Sequence, residues 1–139
     1  MDLHHDPSCP FCLIEEGKAP AFLIHNDART MSFLDIKPFA EGHTLVIPRI
    51  HIELFSDLDH DTLASLFIAA SEVARLLKRR LGVDGINVLV NEGKVAGQVV
   101  PHVHIHLIPR KPGNEPIFTE RVQAEESTLE DLRQKITVE

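Results

Sequence analysis

His102-Val103-His104-Ile105-His106-Leu107-Ile108 alternates imidazole with aliphatic side chains. Period-two alternation marks a half-buried strand, and successive strand side chains point to opposite faces. The three histidines are therefore expected on one face, ~7 Å apart from one to the next. Val103, Ile105 and Leu107 are expected on the other, free to pack on a core. Three imidazoles on one surface are hard to explain by packing, since an apolar residue at each position would cost less than a buried imidazole. Two kinds of chemistry stay open at this point. Alternate strand histidines can ligate zinc, and an imidazole with its ordinary pKa of ~6.5 can do nucleophilic and acid–base work at neutral pH.

Outward from this strand, placed at residues 103–109, the pattern predicts an α+β domain. Residues 94–101 read as a loop, flanked by Gly93 and containing Gly97. Residues 85–91 form a strand in which Ile86, Val88 and Val90 alternate. The clearest helix spans 59–81, with Leu63, Leu66, Phe67, Ala70, Val73, Ala74, Leu77 and Leu81 on one stripe. Asp57, Asp59 and Asp61 at its start and Lys78, Arg79 and Arg80 at its end complement the helix dipole, and Gly82 suits the stop. Residues 43–47 form a strand ended by Pro48. Residues 21–26 and 30–35 form a hairpin around Asn26-Asp27-Ala28-Arg29, and residues 9–17 include a short helical turn. A further helix is expected near 128–135. The whole is a mostly antiparallel five-stranded sheet carrying one long helix and shorter ones.

The bulk numbers agree with one soluble domain over residues 1–139. The formal charge of −7 and the absence of Trp and Tyr argue against a nucleic-acid polymer as partner. No apolar run is long enough for a bilayer and nothing reads as a signal peptide, so no membrane partner and a cytoplasmic location are expected. Cys9 and Cys12, spaced C-x-x-C, read as half a metal site or a redox pair rather than a disulfide framework. A glutaredoxin-like motif needs a preceding strand and a βαβ context, which only eight polar residues cannot supply. Two unrelated buried thiols is the plainer alternative.

The chain resembles the histidine triad (HIT) superfamily, whose signature His-φ-His-φ-His-φ-φ is matched throughout by residues 102–108. Asn91-Glu92-Gly93, Ala96-Gly97-Gln98 and Ile108-Pro109-Arg110 fit the surrounding pattern. So do Phe33-Leu34-Asp35-Ile36 and Gly42-His43-Thr44-Leu45-Val46-Ile47-Pro48. The resemblance covers roughly residues 9–111 and leaves 112–139 as a C-terminal tail. It implies a HIT-like fold and cleavage of nucleotide substrates at the α-phosphate. His104 would be the nucleophile that forms a covalent nucleotidyl-histidine. His106 would contact the phosphate and assist the leaving group, and His102 would hold His104 in position. Histidine rather than glutamine at 106 favours hydrolysis over transfer.

The resemblance also implies a pocket for an adenosine- or guanosine-type nucleotide. Gly97, Gln98 and Val99 would offer backbone N–H groups to the phosphate. Asp35 would accept from ribose hydroxyls, and Phe11, Ile14, Leu34 and Ile36 would wall the base; taken singly, each of these four reads equally as core. Asn91 favours the phosphoramidate-hydrolysing Hint-like branch over the dinucleoside-polyphosphate branch. Val99 stands where members often carry Ser or Thr, so a hydroxyl contact is lost. Bacterial members with an N-terminal C-x-x-C bind zinc, which carries over to Cys9, Cys12, His51 and His102 as a closed, structural Zn2+ site. No organic cofactor is implied, and a homodimer joined edge to edge is. A dinucleoside polyphosphate hydrolase, a nucleotide- and zinc-binding module with little turnover, and a metallohydrolase ligated by the triad are the rivals. His4 and His5 are expected to be loose, and His25 and His60 to be surface residues.

Overall fold

The computed structural model describes residues 5–138. The elements run α1 (Pro10–Glu15), β1 (Leu23–Asn26), β2 (Thr30–Leu34), β3 (Thr44–Pro48), α2 (His60–Leu81), β4 (Gly85–Val90), β5 (Ile105–Arg110) and α3 (Glu126–Thr137). The strands form one sheet in the order β1-β2-β3-β5-β4, and every neighbouring pair is antiparallel. The α+β architecture expected from the sequence is therefore the one observed.

α2 forms because its cap, stripe and stop agree. The Asp59 carboxylate accepts from the Thr62 N–H at 2.7 Å, and Gly82 ends the helix in the left-handed conformation at φ 64°. The stripe lies slightly off the expected one. Leu66, Ala69, Ala70, Val73 and Leu77 are buried against Val46, Ile105 and Leu107, whereas Phe67 and Leu81 remain partly exposed. Ala69 and Thr62 lie on the buried arc in their place. Val103 is buried but outside this cluster, since it precedes β5 and its N–H donates to the Ile52 carbonyl.

The opposite face of the sheet carries a second apolar cluster. There Phe11, Cys9 and Cys12 of the N-terminal segment cover Met31, Phe33, Leu45 and Ile47. β2 and β3 are thus covered on both faces and buried almost throughout; β3 carries the apolar run Leu45-Val46-Ile47, whereas in β2 the buried Thr30 and Ser32 alternate with Met31 and Phe33. The turn at Gly42 depends on its left-handed backbone at φ 87°, which residues with a side chain rarely adopt.

Past β5, the guanidinium of Arg110 donates to Asn87 Oδ1 and the Asn114 carbonyl, which pins the root of the tail to β4. α3 then stands with all its described residues exposed. It is longer than the expected 128–135. His5 is not loose, because its ring nitrogens lie 2.9 Å from Glu15 and Glu16 carboxylates. His4 lies outside the described residues. His25 is half-buried and 3.6 Å from Glu72, and His60 opens α2 on the exposed side.

Leu66 is fully buried at the centre of the α2 contact. Leu66→Ala is expected to destabilise the fold by about 3 kcal/mol through lost burial and an unfilled cavity. Urea unfolding at unchanged slope checks this, and a midpoint within error of the parent would contradict the packing described.

Candidate active site and metal centre

β5 begins at Ile105, so His102 and His104 lie in the approach to the strand and only His106 within it. This corrects the single strand over 103–109. The approach is shaped by two backbone bonds, His102 N–H to the Val100 carbonyl and Val103 N–H to the Ile52 carbonyl, which replace ladder pairing there. The row consequently divides. The His102 ring enters the cysteine cluster, while His104 and His106 line a cavity, their ring centroids 4.8 Å apart. The three imidazoles do not converge on one ion.

Hydrogen bonds fix the protons of the cavity pair. His104 Nδ1 lies 2.7 Å from the His102 carbonyl, an acceptor only, so Nδ1 carries the proton and Nε2 keeps its lone pair. His43 supplies the complementary constraint on His106. Its Nδ1 accepts from the Phe39 N–H at 3.1 Å, which leaves the proton on Nε2, 3.0 Å from His106 Nδ1. His106 therefore accepts at Nδ1 and holds its own proton at Nε2. One neighbour presents a bare nitrogen and the other a donor.

Burial, and then its neighbours His104 and His43, push the His106 pKa down to about 4. Burial also lowers the pKa values of His104 and His43. All three rings are thus neutral at pH 7. Asp35 Oδ2 lies 3.7 Å from His43 Nε2 and opposes part of that shift in His43.

The cavity has a volume of about 590 Å3. Phe11, Ile14, Leu34, Ile36 and Val99 line it, and so do Asp35, Asn91 and Gly97. Ile36 and Val99 stand at its open side, 80% and 89% exposed. Gln98 does not line it. Its side chain is buried beneath the loop, accepting from Gly93 N–H and donating to the Glu53 and Val100 carbonyls. The expected trio of backbone donors is also revised. The 3₁₀ turn Lys94–Ala96 uses the Gly97 and Gln98 N–H groups on the Lys94 and Gly93 carbonyls. Among the described residues, the Val99 and Val100 N–H groups have no partner. Gly97 serves by conformation instead: it holds φ 101°, a backbone that residues with a side chain rarely adopt.

The sequence assigns no role to His43 or to several residues of the cavity wall, Lys37, Phe39 and Val100 among them. His43 orients His106. The signal for His43 was a polar ring beginning an otherwise apolar strand.

The second cluster joins Cys9, Cys12, His51 and His102, whose ligand atoms all lie within 4.8 Å of one another. Cys9 Sγ is 3.5 Å from His102 Nδ1, and Cys12 Sγ is 3.4 Å from His51 Nδ1 and 3.7 Å from His102 Nδ1. Zinc bonds of ~2.3 Å to sulfur and ~2.0 Å to nitrogen at a tetrahedral angle place such atoms about 3.6 Å apart. The donor chemistry fits as well. His102 Nε2 lies 2.9 Å from the Pro48 carbonyl, which takes its proton and leaves Nδ1 as a lone pair facing the sulfurs. Burial pushes the His102 pKa down to about 4 and the Cys12 thiol up to about 11. A neutral imidazole is ready to ligate, whereas a thiolate there calls for a cation. The four residues fit a closed Cys2His2 zinc centre.

The family model described as the HIT domain matches residues 16–113. The chain belongs to the HIT family. A relative named adenosine 5'-monophosphoramidase, from Candida albicans, is 42% identical over 108 residues, covering 75% of this chain and 71% of that protein. The crystal structure of a histidine triad nucleotide-binding protein from Candida albicans superposes with TM-score 0.83 at 36% identity, covering 93% of this chain and 94% of that one. A zinc-bound histidine triad family protein from Mycobacterium smegmatis superposes with TM-score 0.75 at 37% identity, covering 92% and 97%. Among the described residues, no helix of this HIT protein is long and apolar enough to cross a membrane.

Replacing a sulfur ligand tests the metal centre of this HIT protein. Cys9→Ser is expected to abolish stoichiometric zinc and lower the melting temperature by roughly 5 °C. Metal analysis and calorimetry check both, and full zinc content in the variant would refute the ligand set.

Proposed function

We propose that this HIT protein hydrolyses nucleotide conjugates at the α-phosphate, most readily nucleoside phosphoramidates, through a nucleotidyl-His104 intermediate. The observation that carries this reading is the pair of opposed tautomers: a bare His104 Nε2 beside a proton held on His106 Nε2. His104 attacks phosphorus through its bare Nε2 as the bond to the leaving group breaks; His106 Nε2–H donates a hydrogen bond to the departing atom, which takes its proton from water. The N–P bond of the intermediate then breaks as a water molecule attacks phosphorus and gives up its proton to solvent, so both imidazoles end neutral. Covalent catalysis thereby splits one difficult displacement into two.

The remaining parts take roles consistent with their positions. The Val99 and Val100 N–H groups stabilise the charge that develops on the phosphoryl oxygens. Asp35 accepts from ribose hydroxyls, while Phe11, Ile14, Leu34 and Ile36 hold the base. His102 positions His104 through its carbonyl rather than its ring. Gln98 braces the loop, and Asn91 lies beside Gly97. Zinc, when bound, organises the N-terminal segment and supplies no open coordination position. The phosphoramidase relative and the nucleotide-binding relative support this substrate class. A dinucleoside polyphosphate is the second substrate to assay, because Val99 removes a hydroxyl from the leaving-group side. The HIT domain, its tail included, acts in the cytoplasm as a homodimer; β4 is an edge strand, with Val88 exposed, and pairing it removes that edge.

An assay of AMP phosphoramidate and a dinucleoside polyphosphate, with and without chelator, tests the proposal. Hydrolysis is expected to resist chelator and to fall at least ~10³-fold in His104→Ala. Equal turnover by the variant, or no turnover by the parent, would overturn the reading.

The lowered histidine pKa values set the acid limb of the pH profile. Each ring stays neutral as pH falls through 6.5, because its charged form is disfavoured in the fold. The acid limb of log kcat/KM is expected below the ordinary imidazole value of ~6.5. A fall centred at or above 6.5 would contradict the assigned protonation states.

A further inference from the structure

α1 serves two sites at once. It is a single six-residue helix, capped at its start by Cys9, whose sulfur accepts from the Cys12 N–H. Between these two zinc-ligating sulfurs stands Phe11, 7% exposed. Its ring is edge-on to His104 at 5.1 Å and 89°, to His102 at 5.8 Å, and to Phe33 at 5.4 Å. It also walls the cavity. In so short a helix Phe11 cannot shift independently of the cysteines on either side.

Part of what holds α1 against the sheet depends on the ion; the packing of Phe11 on Phe33 and the Glu15–Arg49 contact do not. Without the ion, the cysteines meet His51 and His102 only through thiol–imidazole contacts of 3.4 to 3.7 Å. With it, two zinc–sulfur bonds tether the helix. The His102 backbone is held differently. Its ring is anchored to the Pro48 carbonyl, and Val103 N–H bonds the Ile52 carbonyl, with no metal involved in either. The carbonyl that fixes the His104 tautomer therefore stays in place whether or not the ion is bound. Phe11 does not have that support.

We propose that zinc occupancy and nucleotide binding are thermodynamically coupled through α1, with Phe11 as the positioning residue that carries the coupling. The inference rests on the nucleotide reading above. Linkage makes it reciprocal: zinc raises nucleotide affinity, and nucleotide raises zinc affinity by the same factor. Because the His104 tautomer is held independently, the effect falls on affinity and KM rather than on kcat.

Calorimetric titration of AMP into zinc-loaded and chelator-treated full-length protein reads the first arm. Competition with a chromogenic chelator, with and without AMP, reads the second. Both factors are expected near 10-fold, within the usual range for coupled sites, with kcat changed less than about 3-fold. In Phe11→Leu both factors are expected to fall below about 2-fold while zinc still binds one to one. A third arm uses cobalt-loaded protein, so it needs no metal-free state. Saturating AMP is expected to shift the cobalt d–d bands of the parent and not those of Phe11→Leu. Equal AMP affinity with and without zinc overturns the coupling alone, as does a full 10-fold factor in Phe11→Leu. If the metal-free chain unfolds, unchanged cobalt bands in AMP-bound parent overturn it. Failure of AMP to bind any form removes the nucleotide reading and the coupling together.

Discussion

The short hydrogen bond from His104 Nδ1 to the His102 carbonyl is the constraint on which the site depends. A neutral imidazole has one proton and two places for it, and a nucleophile needs that proton on the far nitrogen. A carbonyl can only accept, so it settles the choice without a charged partner. A carboxylate in its place would stabilise the imidazolium and raise the pKa. Here burial lowers the pKa, and the ring stays neutral. The tandem His43–His106 contact applies the same logic in the opposite sense and leaves a donor next to the bare nitrogen of His104.

These bonds persist because the sheet is packed on both faces. α2 covers one face with Leu66, Val73 and Leu77, which fixes β3 and β5. The N-terminal segment covers the other face with Phe11 and the two cysteines. The departure from ladder pairing just before β5 gives His102 and His104 different directions. A regular strand over the same residues would aim all three rings at one space and leave the cysteines short of a ligand. The irregular approach thus sends histidines two residues apart into two different places, the cysteine cluster and the cavity.

Much of this was legible in the sequence, for identifiable reasons. The ends of α2 are local signals: Gly82 is its stop as expected, while Asp59, expected only to complement the dipole, is its cap. The Cys9, Cys12, His51 and His102 cluster followed from resemblance and is assembled in the fold. At the site, side-chain and backbone hydrogen bonds that close across loops leave no periodic trace in the sequence. Gln98 was placed at the phosphate because it precedes the triad, yet its amide finds three backbone partners beneath the loop. The Gly97 and Gln98 N–H groups were expected to be free, yet a 3₁₀ turn uses them. His43 was left without a role because its partner His106 is distant in sequence and adjacent only across the β3–β5 pairing.

The protonation of the two cavity imidazoles can be observed directly. Long-range 15N–1H correlation spectra of uniformly 15N-labelled protein at pH 7 distinguish the tautomers by their nitrogen shifts. The account predicts His104 protonated at Nδ1 and His106 protonated at Nε2, both neutral. A His104 protonated at Nε2, or an imidazolium at either position, would contradict it.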